Sequence, residues 1–364
     1  MQRIGRATPY VNTRAGIGFY DDQMSDLTRP GEFASRTVAA DWATLDGRLT
    51  MAAIARRYYL DGRTRVQIAE EFGISRFKVA RVLEAAIARG VVKIDISVSE
   101  TVDTDLSLRV QEKFGLDRAL ISTPADHRAE SVRDALGRTG AELLTDIIGD
   151  DDVLGLASGR TIDAVSAHLT RLAGCEALQL TGMSDDLADN PVHVLRRVAE
   201  LTGAPAYSIF APLTVGSSET AERLRADPSI RSAFGRFSAV TVAVTSVGSW
   251  NPPDSRFFNA LSEEDRGALR AKDVMADVAG GLLDSNGNAV SDWDDRVLGI
   301  GADGLARVDQ VIMVGGGERK ADAILAALRS GVVTSLVTDD SVAIRLLDKS
   351  ATPGRPPRPR VVRL

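Results

Sequence analysis

Between Ala119 and Leu347, short apolar runs alternate with stretches of helical periodicity, and this alternation limits the fold more than any other feature of the chain. The runs are Ala119–Ser122, Asp152–Leu156, Ala177–Leu180, Ala206–Ala211, Ala239–Thr245, Val274–Val278, Gln310–Val314 and Ser335–Thr338. Most are separated by helical stretches: Glu130–Ile148, Thr161–Leu172, Val192–Thr202, Ser217–Ala226, Glu263–Lys272, Lys320–Ser330 and Ser341–Leu347. Continuous apolar runs mark strands covered on both faces, and a helix between two of them lets the chain re-enter the sheet in the same direction. The pattern predicts βαβ units and an α/β fold with a doubly wound, mostly parallel sheet.

A different module precedes it. Thr64–Val98 reads as helix, tight turn, helix and short extended run. Thr64 can cap the first helix, and Gly73 can end it in the left-handed conformation. Ser75 caps the second, whose apolar stripe is Val79, Val82, Leu83 and Ala86. Arg76, Lys78 and Arg81 occupy its other face, near the start. An upstream amphipathic helix ending at Gly62 is expected to close a three-helix core with Ile54, Tyr58 and Tyr59. The alternation of Val92, Ile94, Ile96 and Val98 predicts a wing-like strand. This is the pattern of a helix-turn-helix, winged-helix-like unit whose second helix enters the major groove of double-stranded DNA. Arg76, Phe77, Lys78 and Arg81 are the candidate contacts of that helix, with Thr64, Arg65 and Ser75 on phosphates. A helical hairpin with a solvated basic face has the same spacing.

Charge distribution favours the DNA reading. The net charge of −6 opposes nucleic-acid binding by the whole chain. Residues 51–95, however, carry nine Lys/Arg against five Asp/Glu, and the tail after Ser350 has four Arg and no acid. The body between them is strongly acidic, so phosphate contact is confined to the basic module. At 364 residues the chain is long enough for two or three domains. Residues 1–48 are expected to be a disordered or loosely held extension, and 49–98 the DNA-binding domain. A linker helix is expected over 99–116, with Leu106, Val110 and Phe114 on one stripe. The large domain should span 117–349, followed by a Pro/Arg-rich tail over 350–364. With no membrane-length apolar run, no secretory pattern and a single cysteine, Cys175, the expected location is the cytoplasm.

Ligands of open α/β sheets bind beyond the carboxyl ends of the strands. Ser158, Gly159, Arg160 and Thr161 follow one strand and open a helix, an arrangement that offers N–H groups, hydroxyls and a cation to an anion. An ordinary capped turn is the plainer alternative. Gly315–Gly317 end another strand, and Lys320 follows in the first helical turn, where its charge opposes the helix dipole unless an anion is near. Asp339 is either a helix cap or an acceptor for a sugar hydroxyl. Asp277, also near a strand end, is a ligand acceptor or a plain turn acid. His127, His168 and His193 lack metal-ligand spacing, and no nucleophile elbow or paired-histidine cluster is present. Neither a metal nor a cofactor is expected.

Four segments, IARRYYLDGRTRVQIAEEFGISRFKVARVLEAAIARGVVKIDI, GLASGRTIDAV, GGGERKADAI and LVTDD, occur in this order between Leu49 and Leu347. Together they resemble the SorC family of sugar-sensing bacterial transcriptional regulators, sometimes grouped with DeoR-like regulators. The resemblance implies a Rossmann-like effector domain related in fold to sugar-phosphate isomerases and deaminases. Such a domain binds a phosphorylated sugar or polyol without turning it over. It also implies a homo-oligomer, a tetramer or dimer of dimers, on operator DNA. By position it places the effector's anion on Ser158, Gly159, Arg160 and Thr161, the effector-facing lysine at Lys320 and the hydroxyl-binding acid at Asp277. Asn190 falls at a polar position lining the pocket. The chain departs from the family pattern in having Asp277 where glutamate is usual and Phe77 where proline is frequent. An isomerase or deaminase with an accessory DNA module is the alternative, and the missing acid/base cluster argues against it.

Overall fold

The computed structural model describes residues 44–94, 101–183 and 191–349. The chain divides between residues 95 and 96 into two compact units.

The described part of the first unit has three helices, α1 (Leu45–Tyr59), α2 (Arg65–Phe72) and α3 (Arg76–Ala88). Their starts follow from capping chemistry. Thr64 and Gln67 form a reciprocal capping box, in which the Thr64 hydroxyl accepts from Gln67 N and the Gln67 side chain accepts from Thr64 N. The Ser75 hydroxyl accepts from Lys78 N at 3.2 Å. Gly73 ends α2 at φ 63°, a left-handed geometry that a side chain would strain. Met51, Ile54 and Ala55 of α1 pack with Ile68 and Phe72 of α2 and with Val79, Val82, Leu83 and Ala86 of α3. Arg57 joins α1 to α2 through Glu71 at 2.9 Å. The expected core differs at Tyr59, which is 38% exposed, while Met51 fills the buried position. Val91–Ile94 form no strand, and the remainder of the expected wing lies outside the described residues.

The second unit begins with α4 (Thr104–Phe114), β1 (Arg118–Ser122), α5 (Ala129–Ile147), β2 (Val153–Leu156), α6 (Arg160–His168) and β3 (Glu176–Gln179). Next come α7 (Pro191–Thr202), β4 (Ala206–Tyr207), α8 (Ser218–Ala226), α9 (Pro228–Phe234) and β5 (Val242–Thr245). A second strand-rich section contains β6 (Gly248–Trp250), β7 (Pro253–Asp254), α10 (Arg256–Ala260), α11 (Glu263–Arg270), β8 (Val274–Val278), β9 (Gly281–Asp284) and β10 (Ala289–Val290). The unit closes with α12 (Gly301–Leu305), β11 (Gln310–Val314), α13 (Ala321–Arg329), β12 (Ser335–Asp339) and α14 (Asp340–Asp348).

Seven strands form a parallel sheet in the order β1-β12-β11-β5-β2-β3-β4. Side chains alternate across it. Val242, Val244, Ile312 and Val314 face the layer of α5, α6 and α7. Ala243, Val311 and Met313 face a layer containing α4, α13 and α14. The result is a three-layer α/β domain, as the alternating pattern predicts. The helix expected as a linker is part of this domain. Val110 of α4 is fully buried, and Lys113 Nζ donates to the carbonyls of Leu346 and Leu347 at the end of α14.

Three expectations of the strand pattern change. The run at Ala206 shortens to two residues, and the one at Ala239 begins only at Val242. More important, Val274–Val278 does not join the parallel sheet. It pairs antiparallel with β6 and β9 in a second sheet of order β10-β9-β8-β6-β7. Its burial alternates, the mark of a strand covered on one face. The turn from β8 to β9 holds Ala279 and Gly280 at φ 47° and 89°, the handedness that a two-residue hairpin requires.

Candidate functional site

A cavity of about 1320 Å³ opens beyond the carboxyl ends of β2, β5 and β11, with part of the antiparallel sheet in its wall. Its place follows from topology. β2 and β5 are neighbours, but from β2 the chain goes on to β3 on one side, whereas after β5 and the antiparallel section it re-enters the parallel sheet at β11 on the other. The strand order therefore reverses between β2 and β5, the switch point at which α/β sheets bind ligands.

The loop after β2 forms one wall. The Ser158 amide donates to Thr181 Oγ1 at 3.3 Å, and the two hydroxyls lie 3.1 Å apart. The Ser246 hydroxyl donates to the Ser158 carbonyl at 3.3 Å. A Cβ on Gly159 would press on the Ser246 side chain and make its hydroxyl turn away, so the loop approaches Ser246 closely here. Helix α6 then starts at Arg160 without a side-chain cap on its first turn. Ser158, Gly159, Arg160 and Thr161 all line the cavity.

The glycine loop after β11 forms the facing wall. Gly317 stands at φ 90° and donates its N–H to Asp339 Oδ2 at 2.6 Å. Lys320 follows, only 20% exposed, with Nζ donating to the Val247 carbonyl at 3.1 Å. The same Nζ is 3.3 Å from Asp254 Oδ2, and an Arg160 guanidinium nitrogen is 2.6 Å from Asp254 Oδ1. Burial works against a charge on Asp254, but the Lys320 and Arg160 cations outweigh it and hold the carboxyl below the usual carboxylate range.

Asp277 of β8 lines the cavity from the antiparallel sheet. Its carboxylate accepts from Trp250 Nε1 at 3.1 Å and from the Ser255 hydroxyl. Gly248 lies opposite it in the ladder, and a Cβ there would overlap the carboxylate. Burial raises the Asp277 pKa above the ordinary value, against the pull of those hydrogen bonds. The folded chain then binds a proton more tightly than the unfolded one, so this group's contribution to stability falls as pH rises from the unfolded carboxylate pKa upward. Asp277→Asn keeps the shape and removes the charge. It should raise the midpoint of thermal unfolding at pH 7 by about 2–4 °C per kcal/mol of relieved desolvation. The gain should shrink at lower pH in a melting series.

The structure brings Ser158–Thr161, Asp277 and Lys320 to one cavity but treats Asp339 differently. That residue is fully buried and does not line the cavity. Oδ1 accepts from the Ser341 and Val342 amides and the Ser341 hydroxyl, while Oδ2 accepts from Gly317 N. Of its two expected roles, the helix cap is the one formed, and the carboxylate also pins the glycine loop. Asn190 lies outside the described residues. Sequence reasoning missed Ser246, Asp254 and Ser255. Asp254 follows Asn251-Pro252-Pro253, which reads only as a turn, and nothing in sequence spacing sets it between Arg160 and Lys320.

In the first unit Arg65, Arg76 and Arg81 are exposed, and Phe77 is 67% exposed. The Arg76 guanidinium lies over the Phe77 ring at 5.0 Å, and that of Arg65 over Tyr58 at 5.6 Å. Lys78 is partly buried. The Thr64 and Ser75 hydroxyls are engaged as caps. The start of α3 thus presents cations around an exposed aromatic ring.

Uncapped amides, hydroxyls and two cations suit an anionic group, and a carboxylate on the other side suits hydroxyl groups. Residues 99–348 match the Sugar-bind family, a sugar-binding domain. The chain is 30% identical over 301 residues to the uncharacterized transcriptional regulator YjhU of Escherichia coli K12, covering 80% of this chain and 92% of that protein. It is 27% identical over 317 residues to the erythritol catabolism regulatory protein EryD of Brucella abortus, covering 84% and 98%. The full-length sorbitol operon regulator SorC of Klebsiella pneumoniae superposes with a TM-score of 0.63 at 23% identity, covering 83% of this chain and all of that one. With the sugar-binding domain matched over most of its length and regulators aligned along nearly all of theirs, the chain belongs to the SorC family of sugar-binding transcriptional regulators.

Proposed function

We propose that this regulator binds operator DNA with an affinity set by a phosphorylated sugar or polyol in the cavity of its second unit. The observation that carries this reading is the uncapped start of α6 beside Arg160, in one cavity with Lys320 and Asp277. The phosphate would sit on the Ser158–Thr161 loop, with Lys320 as its second cation. Asp277 would accept from ligand hydroxyls. Asn190 would line the pocket, as its position in the family pattern implies. Asp339 acts indirectly, by holding the glycine loop that presents Lys320.

The DNA half of the proposal rests on the first unit. Arg76, Lys78 and Arg81 would reach base edges and Phe77 a thymine methyl, with Arg65 on phosphate and Thr64 and Ser75 fixing the helix starts. The chain would act as a homo-oligomer, a tetramer or dimer of dimers, because paired half-sites need paired modules. Ligand would alter operator affinity only through a difference in its own affinity for the two arrangements of the oligomer.

A thermal-shift panel tests the ligand class. Phosphorylated pentoses, hexoses and polyols are compared with their unphosphorylated parents. A cognate phosphate at about 100 times its Kd should raise the midpoint by roughly 5–10 °C. Silence across the phosphorylated set refutes the proposed ligand class, and turnover of any member makes the cavity an enzyme site instead.

A further inference from the structure

We propose that Asp254 is a built-in anion occupying the phosphate seat, and that it makes the cavity select phosphate esters over sugar acids. The inference rests on the reading of this cavity as an anion site and adds what determines its selectivity.

Asp254 lies between cations from facing walls. Arg160 comes from the start of α6 and Lys320 from the glycine loop, at 2.6 and 3.3 Å from its two oxygens. These are the charges that an incoming anion would need. The carboxylate can leave at little cost. It sits on β7, a two-residue strand at the edge of the antiparallel sheet, and is 47% exposed. Lys320 retains the Val247 carbonyl at 3.1 Å and so keeps its place when the carboxylate departs. Arg160 is 51% exposed, so its pair with Asp254 is screened by water and weak. Burial opposes the charge, but the two cations outweigh it and hold the Asp254 carboxyl below the usual carboxylate range, so at neutral pH the carboxylate is charged and the seat is filled.

Displacement then depends on the charge of the newcomer. A sugar acid offers one carboxylate in exchange for another that is already tethered. A tethered group competes at high effective concentration, so the exchange gains nothing. A phosphate monoester carries about −1.5 to −2 at neutral pH, with three acceptor oxygens. It can engage both cations and the first-turn amides of α6 together, which Asp254 does not do. Asp254 therefore raises the threshold for every anion and excludes the weaker ones.

Titration calorimetry on the full chain tests this with inorganic phosphate and gluconate as probes. Asp254→Asn should tighten inorganic phosphate about three- to tenfold and make gluconate binding detectable. Asp254→Glu, which keeps the charge, should behave as wild type. Asp254→Ser gives a second neutral variant in case the first fails to fold. Unchanged or weaker phosphate binding in a neutral variant that melts like wild type overturns the proposal, since Asp254 is then a bystander or a ligand contact. The two readings fail separately. If wild type ignores every sugar phosphate while Asp254→Asn binds inorganic phosphate, the ligand class is lost and the seat remains. If wild type answers sugar phosphates but the neutral variants gain nothing, only the role of Asp254 is lost.

Discussion

Lys320→Ala is expected to abolish the response to ligand while leaving the fold intact. Lys320 is the less exposed of the two cations at the phosphate seat, and it is held by the Val247 carbonyl. Removing the cation that faces a bound phosphate costs about 2–4 kcal/mol, roughly 30- to 1000-fold in Kd, once the ligand shields the pair from water. The thermal shift with the cognate sugar phosphate should vanish at concentrations that saturate wild type, and operator binding should become ligand-independent. Stability should change little, because the lost contacts are one hydrogen bond and a solvent-screened ion pair. A variant that still answers to the ligand with near wild-type affinity removes Lys320 from the site.

The second large effect belongs to the first unit. Arg76→Ala combined with Lys78→Ala should abolish specific operator binding. Each base-edge contact contributes about 1–3 kcal/mol, so the double change should cost between roughly 30-fold and more than 10⁴-fold in affinity. The three-helix core should survive, since it rests on Ile54, Ile68, Phe72, Val79 and Leu83 and not on the α3 cations. The ligand-induced thermal shift should also persist. An unchanged operator affinity in a mobility-shift titration would mean that another surface reads the DNA. Loss of affinity equal on operator and random DNA would make these residues phosphate contacts only.

The local signals were legible because they depend on near neighbours. Thr64 with Gln67, Gly73 and Ser75 mark helix ends by chemistry within three or four residues. The runs at Val311 and Leu336 mark central strands because both faces are covered. The second sheet was less legible. Asn286-Gly287 between β9 and β10 is a turn signal, but Ala279-Gly280 between β8 and β9 is not, because alanine rarely takes the positive φ it holds there. The regular alternation of strands and helices by itself points Val274–Val278 to the parallel sheet, and only its pairing with β6 and β9 reveals the antiparallel one.

By itself the sequence determined the periodicity, the caps, the parallel core and the segments that carry the family resemblance. Each of these depends on spacing along the chain. Tertiary structure alone decided which loops meet at the switch point. It also turned Asp339 into a clamp beneath the glycine loop and set Asp254 between Arg160 and Lys320. These three residues lie 94 and 66 positions apart. Their contact exists only because β2, β11 and the edge of the antiparallel sheet are folded against a common cavity, and no spacing rule reaches across such separations.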